Sequence, residues 1–335
     1  MLSAKQWSNF WYTRSGWRWL LWPLAFFYQN VVRMRAYYLQ RFKQRVFNVP
    51  IIVVGNITVG GVGKTPLVIA LAKQLQDRGL TVGIVSRGYG ATVRAFPHEV
   101  CPDDTACKVG DEPQLLAQKT KCPVVIAPNR VDAVQYLLDK YACQVIISDD
   151  GLQHYAMGRA IEIAVIDGAR EFGNGLCLPA GPLREPVDRL KRVDFIVMNG
   201  RCANAPRFET QFGKIMHGME LRPEGLRQLL TGKPVIIEQL TSPVAAIAGI
   251  GHPQRFFDTL TRLGIVFNPY PFADHFSFKP QDLCVSEKTV VMTEKDAVKC
   301  YPFATDKMYF LPVNAHVCED FWLALWSHQH LKGYI

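Results

Sequence analysis

The sequence predicts an α/β protein: a doubly wound, mostly parallel sheet, a smaller C-terminal α/β domain after it, and an N-terminal amphipathic helix before it. Three observations carry that expectation. Short Val- and Ile-rich runs recur from residue 48 onward with helical stretches between them, a glycine-rich loop joins the first run to a helix, and the first 48 residues differ in composition from all that follows. The corresponding boundaries are 1–46 for the amphipathic helix, 47–238 for the nucleotide-binding core and 239–335 for the smaller domain.

The 335 residues are 49% hydrophobic, enough to bury a core without disulfide or metal staples. Nine cysteines are scattered, with no C-x-x-C pair. That spacing speaks against a disulfide framework or a zinc site and for a reducing compartment.

Residues 1–48 hold Lys5, Arg14, Arg18, Arg33, Arg35, Arg41, Lys43 and Arg45 and no Asp or Glu, whereas the rest of the chain has 30 basic and 29 acidic side chains. All but one unit of the net charge of +9 therefore belongs to one segment, which is not the diffuse footprint of a nucleic-acid binder. The same segment carries Trp7, Trp11, Trp17, Trp19 and Trp22, five of the seven tryptophans. Trp7, Trp11 and Trp17 recur at helical spacing with Phe10, Leu20, Leu21, Leu24, Phe27, Val31, Met34 and Tyr38. Pro23 is expected to kink this helix or divide it in two. No small-residue cleavage site follows, so a cleaved signal peptide is not expected. The apolar run 19–28 is only ten residues long, half of the ~20 a spanning helix needs. An interfacial helix fits the aromatic and basic side chains best, and its all-positive charge suits the cytoplasmic leaflet; an amphipathic helix packed on its own domain stays open.

Strands are expected over 49–54, 81–85, 123–127, 144–147, 161–166 and 194–198, each apolar enough to be buried on both faces. Helices over 65–77 and 131–141 give the alternation of a doubly wound sheet. The first strand runs into Gly55-Asn56-Ile57-Thr58-Val59-Gly60-Gly61-Val62-Gly63-Lys64-Thr65, and Pro66 opens a helix. That context makes a phosphate loop, with Thr58 where the usual pattern begins on Gly. Backbone N–H groups from Thr58 to Thr65 are expected to close on phosphate oxygens. Lys64 would reach the β- and γ-phosphates of ATP, and the Thr65 hydroxyl would bind Mg²⁺. Asp149 and Asp150, at the carboxyl end of an apolar strand, are the expected metal-side acids.

Past Asn199 the chain turns polar, with loop expected over 201–207. Strands are expected over 235–237, 245–250, 290–292 and 308–312, a helix from Gly251 to about Leu263, and a closing helix over 320–331. Asp111 before Glu112-Pro113 reads, by itself, as an N-cap. His275 beside Asp274 reads as a surface pair and Arg184 as a solvated loop residue.

Eight segments in series change that reading: VGNITVGGVGKT (54–65), SRGYG (86–90), GDEP (110–113), DDGLQH (149–154), PAGPLRE (179–185), GIGHPQR (249–255), FADHF (272–276) and TEKDAVK (293–299). Together they resemble the tetraacyldisaccharide 4′-kinases. The resemblance implies transfer of the γ-phosphate of ATP to the 4′-hydroxyl of a tetraacyldisaccharide 1-phosphate, forming lipid IVA for lipid A, with Mg²⁺, at the inner-membrane surface. It implies Asp111 as general base, His275 as its partner in a dyad, and Arg130, Arg184 and Glu185 at the lipid substrate or reacting phosphate, with Tyr89 at the sugar. Relatives often carry a second histidine where Phe276 stands here. A membrane-associated P-loop ATPase switch of the partitioning or targeting type is the rival, but its signature lysine would fall at Val59. A GTPase would need an Asn-Lys-x-Asp base reader, which Thr293-Glu294-Lys295-Asp296 only approximates. A non-catalytic scaffold leaves Lys64, Thr65 and the Asp pair without a purpose.

Overall fold

The computed structural model describes residues 11–12 and 18–334; Lys5, Trp7, Phe10, Arg14 and Trp17 of the amphipathic segment lie outside the described residues. Nine strands form the larger sheet: β1 (Ile51–Gly55), β2 (Val82–Ser86), β3 (His98–Glu99), β4 (Val124–Ile126), β5 (Val145–Asp149), β6 (Ile161–Asp167), β7 (Phe195–Asn199), β8 (Met216–Pro223) and, from the end of the chain, β14 (Val313–Val317). The smaller sheet holds β9 (Arg227–Gln228), β10 (Val244–Ala248), β11 (Phe267–Pro271), β12 (Val290–Thr293) and β13 (Met308–Leu311). The helices are α1 (Arg18–Tyr38), α2 (Lys64–Gln76), α3 (Ala106–Val109), α4 (Asp111–Thr120), α5 (Arg130–Lys140), α6 (Ala205–Phe212), α7 (Pro253–Arg262), α8 (Glu294–Cys300) and α9 (Glu319–Trp326).

The larger sheet runs β14-β8-β7-β6-β1-β5-β2-β4-β3 and is parallel except at its two edges. Its central strands are buried at every position because helices cover both faces. Successive residues of β1 feed opposite cores. Ile52 and Val54 pack with Leu67, Leu71 and Leu116 from α2 and α4, while Ile51 and Val53 pack with Val134 and Leu137 from α5. Strand β1 lies between β5 and β6, so the chain order reverses there. Crevices at such a reversal, beyond the carboxyl ends of the strands, are where ligands bind in these sheets.

The smaller sheet runs β11-β10-β12-β13-β9, with β10, β11, β12 and β13 parallel. Strand β10 again lies between two neighbours, which brings the loop after it to the other sheet's glycine loop. A Cβ on Gly251 would lie 3.1 Å from the Gly61 amide nitrogen.

Several expectations need correction. Pro23, expected to kink or divide the first helix, does not divide it: it sits inside the one continuous helix Arg18–Tyr38. Residues 235–237 are not a strand, because Pro234 makes only an isolated bridge to Arg227 and the chain then enters a short 3₁₀ turn. Helix α6 begins inside the expected loop, at Ala205. The closing helix ends at Trp326, short of Leu331. Strands β8, β11 and β14 had no expectation; they are partly exposed and lack the continuous apolar run of the central strands. The cut at 238/239 does not follow sheet membership either. Arg227–Gln228 already belongs to the smaller sheet, and β14 and α9 return to the larger one, where Phe321 is fully buried.

Candidate active site

One cleft of about 990 Å³ opens between the carboxyl ends of the two sheets. Its floor is the loop after β1. Gly60 and Gly63 adopt φ of +98° and +96°, a region open to glycine and costly for other residues. Gly63 is further constrained, since a Cβ there would lie 2.6 Å from Asn199 Nδ2. The loop is held from outside. Asn199 Nδ2 donates to the Val62 carbonyl at 2.9 Å, Val59 N donates to Pro182 O at 2.9 Å, and Arg170 donates to the Gly61 carbonyl. No side chain caps α2, so its first N–H groups remain available to an anion.

Residues Val59 to Thr65 line the cleft. Thr58 does not; it is buried, and its carbonyl accepts from Asn56 Nδ2 at 2.8 Å, which makes it an anchor of the loop rather than a face of it. Lys64 Nζ donates to Asn56 Oδ1 at 3.2 Å and pairs with Asp150 Oδ1 at 3.4 Å. Arg184 pairs with the other oxygen of Asp150 at 3.0 Å. Burial raises the Asp150 carboxyl, but Lys64 and Arg184 outweigh it and bring it down to about 2, so Asp150 is an anion at any physiological pH.

Asp149 is the opposite case. It is 1% exposed, and among the described residues neither of its carboxylate oxygens finds a hydrogen-bond partner. Burial first, then Glu112 and Asp150, push its carboxyl up to about 7. A buried carboxylate left without donors is costly, and a divalent cation against it would supply what the side chains do not. With the Thr65 hydroxyl in the same cleft, Asp149 and Asp150 suit a hard, oxygen-seeking ion such as Mg²⁺.

On the opposite wall, Gly110 places the base candidate. Its φ is +95°, and a Cβ there would meet the Tyr89 carbonyl oxygen at 2.7 Å. Helix α4 therefore starts tight against the loop after β2. Asp111, its first residue, is 4% exposed and accepts from Glu112 N at 2.8 Å. Both its oxygens lie against His275 Nδ1, at 3.1 and 3.0 Å. His275 arrives from the smaller sheet, on the loop after β11, with φ of +58°. A non-glycine residue in that region is held there at a cost of about 1–3 kcal/mol; here its N–H donates to Asp274 Oδ1 at 3.1 Å. The ring of Tyr89 lies 5.0 Å from that of His275. Asp111, His275, Lys64, Asp149, Asp150, Arg184 and Tyr89 thus share one cleft.

Arg130 and Glu185 stand behind the cleft instead. Arg130 is buried, donating to the carbonyls of Ala127 and Asp149 at 3.2 and 3.3 Å, and its burial pulls its guanidinium down to about 10. Glu185 is buried against Gln153 Nε2 at 2.9 Å and the Tyr155 hydroxyl. Both brace the Asp149–His154 turn that carries the acids. Residues without an expectation also appear. Asn56 and Asn199 hold Lys64 and the loop, Arg255 of α7 pairs with Asp167 at 2.7 Å, and Lys295 reaches Glu112 at 2.9 Å. The only signal for Lys295 was its place in the TEKDAVK segment, which carries no chemistry of its own.

The Asp111–His275 pair has a defined pH signature. Burial raises Asp111, but its hydrogen bond to His275 and the charges of Lys295, His275 and Lys299 leave it below the ordinary value of about 3.9. The same hydrogen bond, opposed by burial and Lys295, leaves His275 above about 6.5. A lowered acid stabilises the fold above its ordinary value and loses that contribution as pH falls through the lowered one. A raised histidine stabilises below its ordinary value and loses it as pH rises through the raised one. The ion pair is therefore whole between about pH 4 and pH 6.5. The variant His275→Gln is expected to lower Tm most inside that window and less at about pH 9; equal losses in melts at both pH values would rule out an ionic pair.

A phosphate loop facing a carboxylate that a histidine orients is what an acceptor hydroxyl needs, and fold and site together define a P-loop kinase. Comparison with known proteins narrows the class. The family model for tetraacyldisaccharide-1-P 4′-kinase matches residues 17–329. A tetraacyldisaccharide 4′-kinase of Legionella pneumophila (strain Lens) is 56% identical over 97% of both chains, and one of Nitrosococcus oceani is 43% identical over 93% of this chain and 91% of its own. The crystal structure of LpxK from Aquifex aeolicus in complex with ATP superposes with a TM-score of 0.76 at 26% identity, over 94% of this chain and 99% of that one. The chain belongs to the tetraacyldisaccharide 4′-kinase family, the kinases of lipid A biosynthesis. Membership sets aside the switch-ATPase reading.

Proposed function

We propose that this chain moves the γ-phosphate of ATP to the 4′-hydroxyl of a tetraacyldisaccharide 1-phosphate, yielding lipid IVA and ADP, at the cytoplasmic face of the inner membrane. The observation that carries the reading is the pairing of Asp111 with His275 in the cleft whose other wall is the phosphate loop. In the reaction the sugar hydroxyl gives its proton to an Asp111 oxygen as its own oxygen bonds to the γ-phosphorus. The bridging P–O bond to the β-phosphate breaks, and ADP leaves. Lys64 and the N–H groups at the start of α2 stabilise the charge gathering on the transferring phosphoryl group. Arg184, 29% exposed at its side chain, holds Asp150 while facing the cleft. Asp149, Asp150 and Thr65 would hold Mg²⁺, which neutralises phosphate charge when bound. Incubation with ATP, Mg²⁺ and detergent-dispersed tetraacyldisaccharide 1-phosphate is expected to yield a phosphorylated lipid, with little ATP hydrolysis in its absence. Hydrolysis at the same rate without the lipid would overturn the reading.

The membrane side rests on α1. Among the described residues no helix is long and apolar enough to cross a membrane. Yet α1 exposes Trp19, Leu20, Leu24, Phe26, Phe27, Met34 and Tyr37, each more than half accessible, while Ala25 is buried. Tyr28, Val32 and Arg35 of the same helix line the cleft, and Tyr28 donates to the Arg184 carbonyl at 3.2 Å. A helix that joins an apolar outer face to the cleft wall suits an acylated substrate drawn from a bilayer. Burying each large apolar side chain is worth about 1.5–3 kcal/mol. The double change Leu20→Glu, Phe27→Glu is therefore expected to weaken binding to anionic-lipid vesicles by at least about a hundredfold. Flotation that recovers variant and parent equally would remove the anchor.

A further inference from the structure

We propose that Lys295 is a positioning residue for this reaction: reaching across from the smaller sheet, it holds the Asp111–His275 pair in the one arrangement that can take up a proton. The proposal rests on the kinase reading above and adds a residue to it. Its Nζ lies 2.9 Å from Glu112 Oε1, 3.5 Å from Asp274 Oδ1, 3.9 Å from Asp111 Oδ2 and 3.4 Å from His275 Nε2. Three carboxylates from two separate elements thus converge on one ammonium, whose side chain is 20% exposed.

The backbone beneath Lys295 is fixed. Thr293 caps α8, its hydroxyl accepting from Asp296 N at 3.1 Å and donating to Asp296 Oδ2 at 2.6 Å. The Gly249 amide donates to the same Asp296 oxygen at 2.8 Å. Glu294 pairs with Lys119 of α4 at 2.8 Å, so the helix carrying Lys295 is tied to the helix that begins with Asp111. The ammonium is thereby delivered to a set place and does not hang free on its long stem.

The contact with His275 has only one favourable form. An ammonium donates and cannot accept, so Nε2 must present a lone pair to it. The ring proton then sits on Nδ1, which lies 3.1 and 3.0 Å from the two Asp111 oxygens. His275 is neutral in that form and donates to an ionised Asp111. A carboxylate beside a neutral donor remains a better base than one tied to an imidazolium. The groups facing the pair are Asp111 and Glu112 from α4, Asp274 beside His275 on its loop, Lys295 and Lys299 from α8, and the Tyr89 ring. Asp111 and Asp274 favour the imidazolium and Lys295 opposes it. Lys295 is thus the cation that keeps the histidine from charging too readily.

The test combines kinetics with ¹⁵N NMR of His275 in the full chain. In the parent protein above the His275 titration, the ring is expected to carry its proton on Nδ1. The Lys295→Met variant is expected to keep the imidazolium to higher pH, to move the acid limb of kcat to higher pH and to lower kcat at neutral pH by about tenfold or more, with KM for ATP within about twofold. Lys295→Arg keeps a cation and donors and is expected to retain the parent tautomer and acid limb. A fall in kcat with neither the limb nor the tautomer moved would reduce Lys295 to a structural tie and overturn the proposal. A parent ring protonated on Nε2 would overturn it with no variant at all, which covers the case of a Lys295→Met protein that does not fold. The NMR readout needs no turnover: an Nδ1-protonated ring in a protein that forms no phosphorylated lipid would count against the kinase reading, not against this placement of Lys295.

Discussion

The change Asp111→Asn is expected to cut kcat by about 10²–10⁴-fold, the range supplied by a positioned general base, with ATP affinity near that of the parent. Asparagine fills the same volume and its carbonyl still faces His275 Nδ1 and the Glu112 amide. What it cannot do is take a proton. A sugar hydroxyl is a poor nucleophile until that proton has a destination, and the neighbouring carboxylates Glu112 and Asp274 are both engaged by Lys295, at 2.9 and 3.5 Å. The pH dependence should change as well. In the parent, kcat should climb as His275, raised above its ordinary value by Asp111, loses its proton and Asp111 recovers basicity. The variant should lose that climb. Single-turnover phosphorylation of the lipid across about pH 5–9 measures both effects, and a near-parental rate for Asp111→Asn would remove it as the base.

The second large effect is expected for Lys64→Ala, a loss of about 10²–10³-fold or more in kcat together with weaker ATP binding. Removing one preorganised donor from a site of developing charge costs that much in other enzymes, and Lys64 is a full cation. The substitution also strips Asp150 of one of its two partners, leaving Arg184 at 3.0 Å to hold it alone. The Asp150 carboxyl, now near 2 because Lys64 and Arg184 outweigh burial, should rise. Lys64→Arg is not expected to rescue, since a planar fork does not fit the space of a point charge beside Asn56. Nucleotide titration and single-turnover rates check this, and unchanged values for Lys64→Ala would place the phosphates elsewhere.

The sequence by itself determined the central sheet, the glycine-rich loop after β1 and the acid pair at the carboxyl end of β5. Those features are local. A strand buried on both faces writes itself as a continuous Val/Ile run, as in Ile51–Gly55, and a loop that wraps phosphate must spend glycines where φ turns positive, as at Gly60 and Gly63. Family resemblance supplied names for more distant residues, yet local chemistry alone left Asp111 as a helix cap and His275 as a surface histidine. Only the tertiary structure decided that these two, 164 positions apart, share hydrogen bonds, that Arg130 and Glu185 stand behind the acids, and that β14 and α9 return to the first sheet. The physical reason is that a base pair built across two sheets leaves no period, run or spacing in either segment. Its evidence is distance and burial, which exist only once both sheets have folded and met.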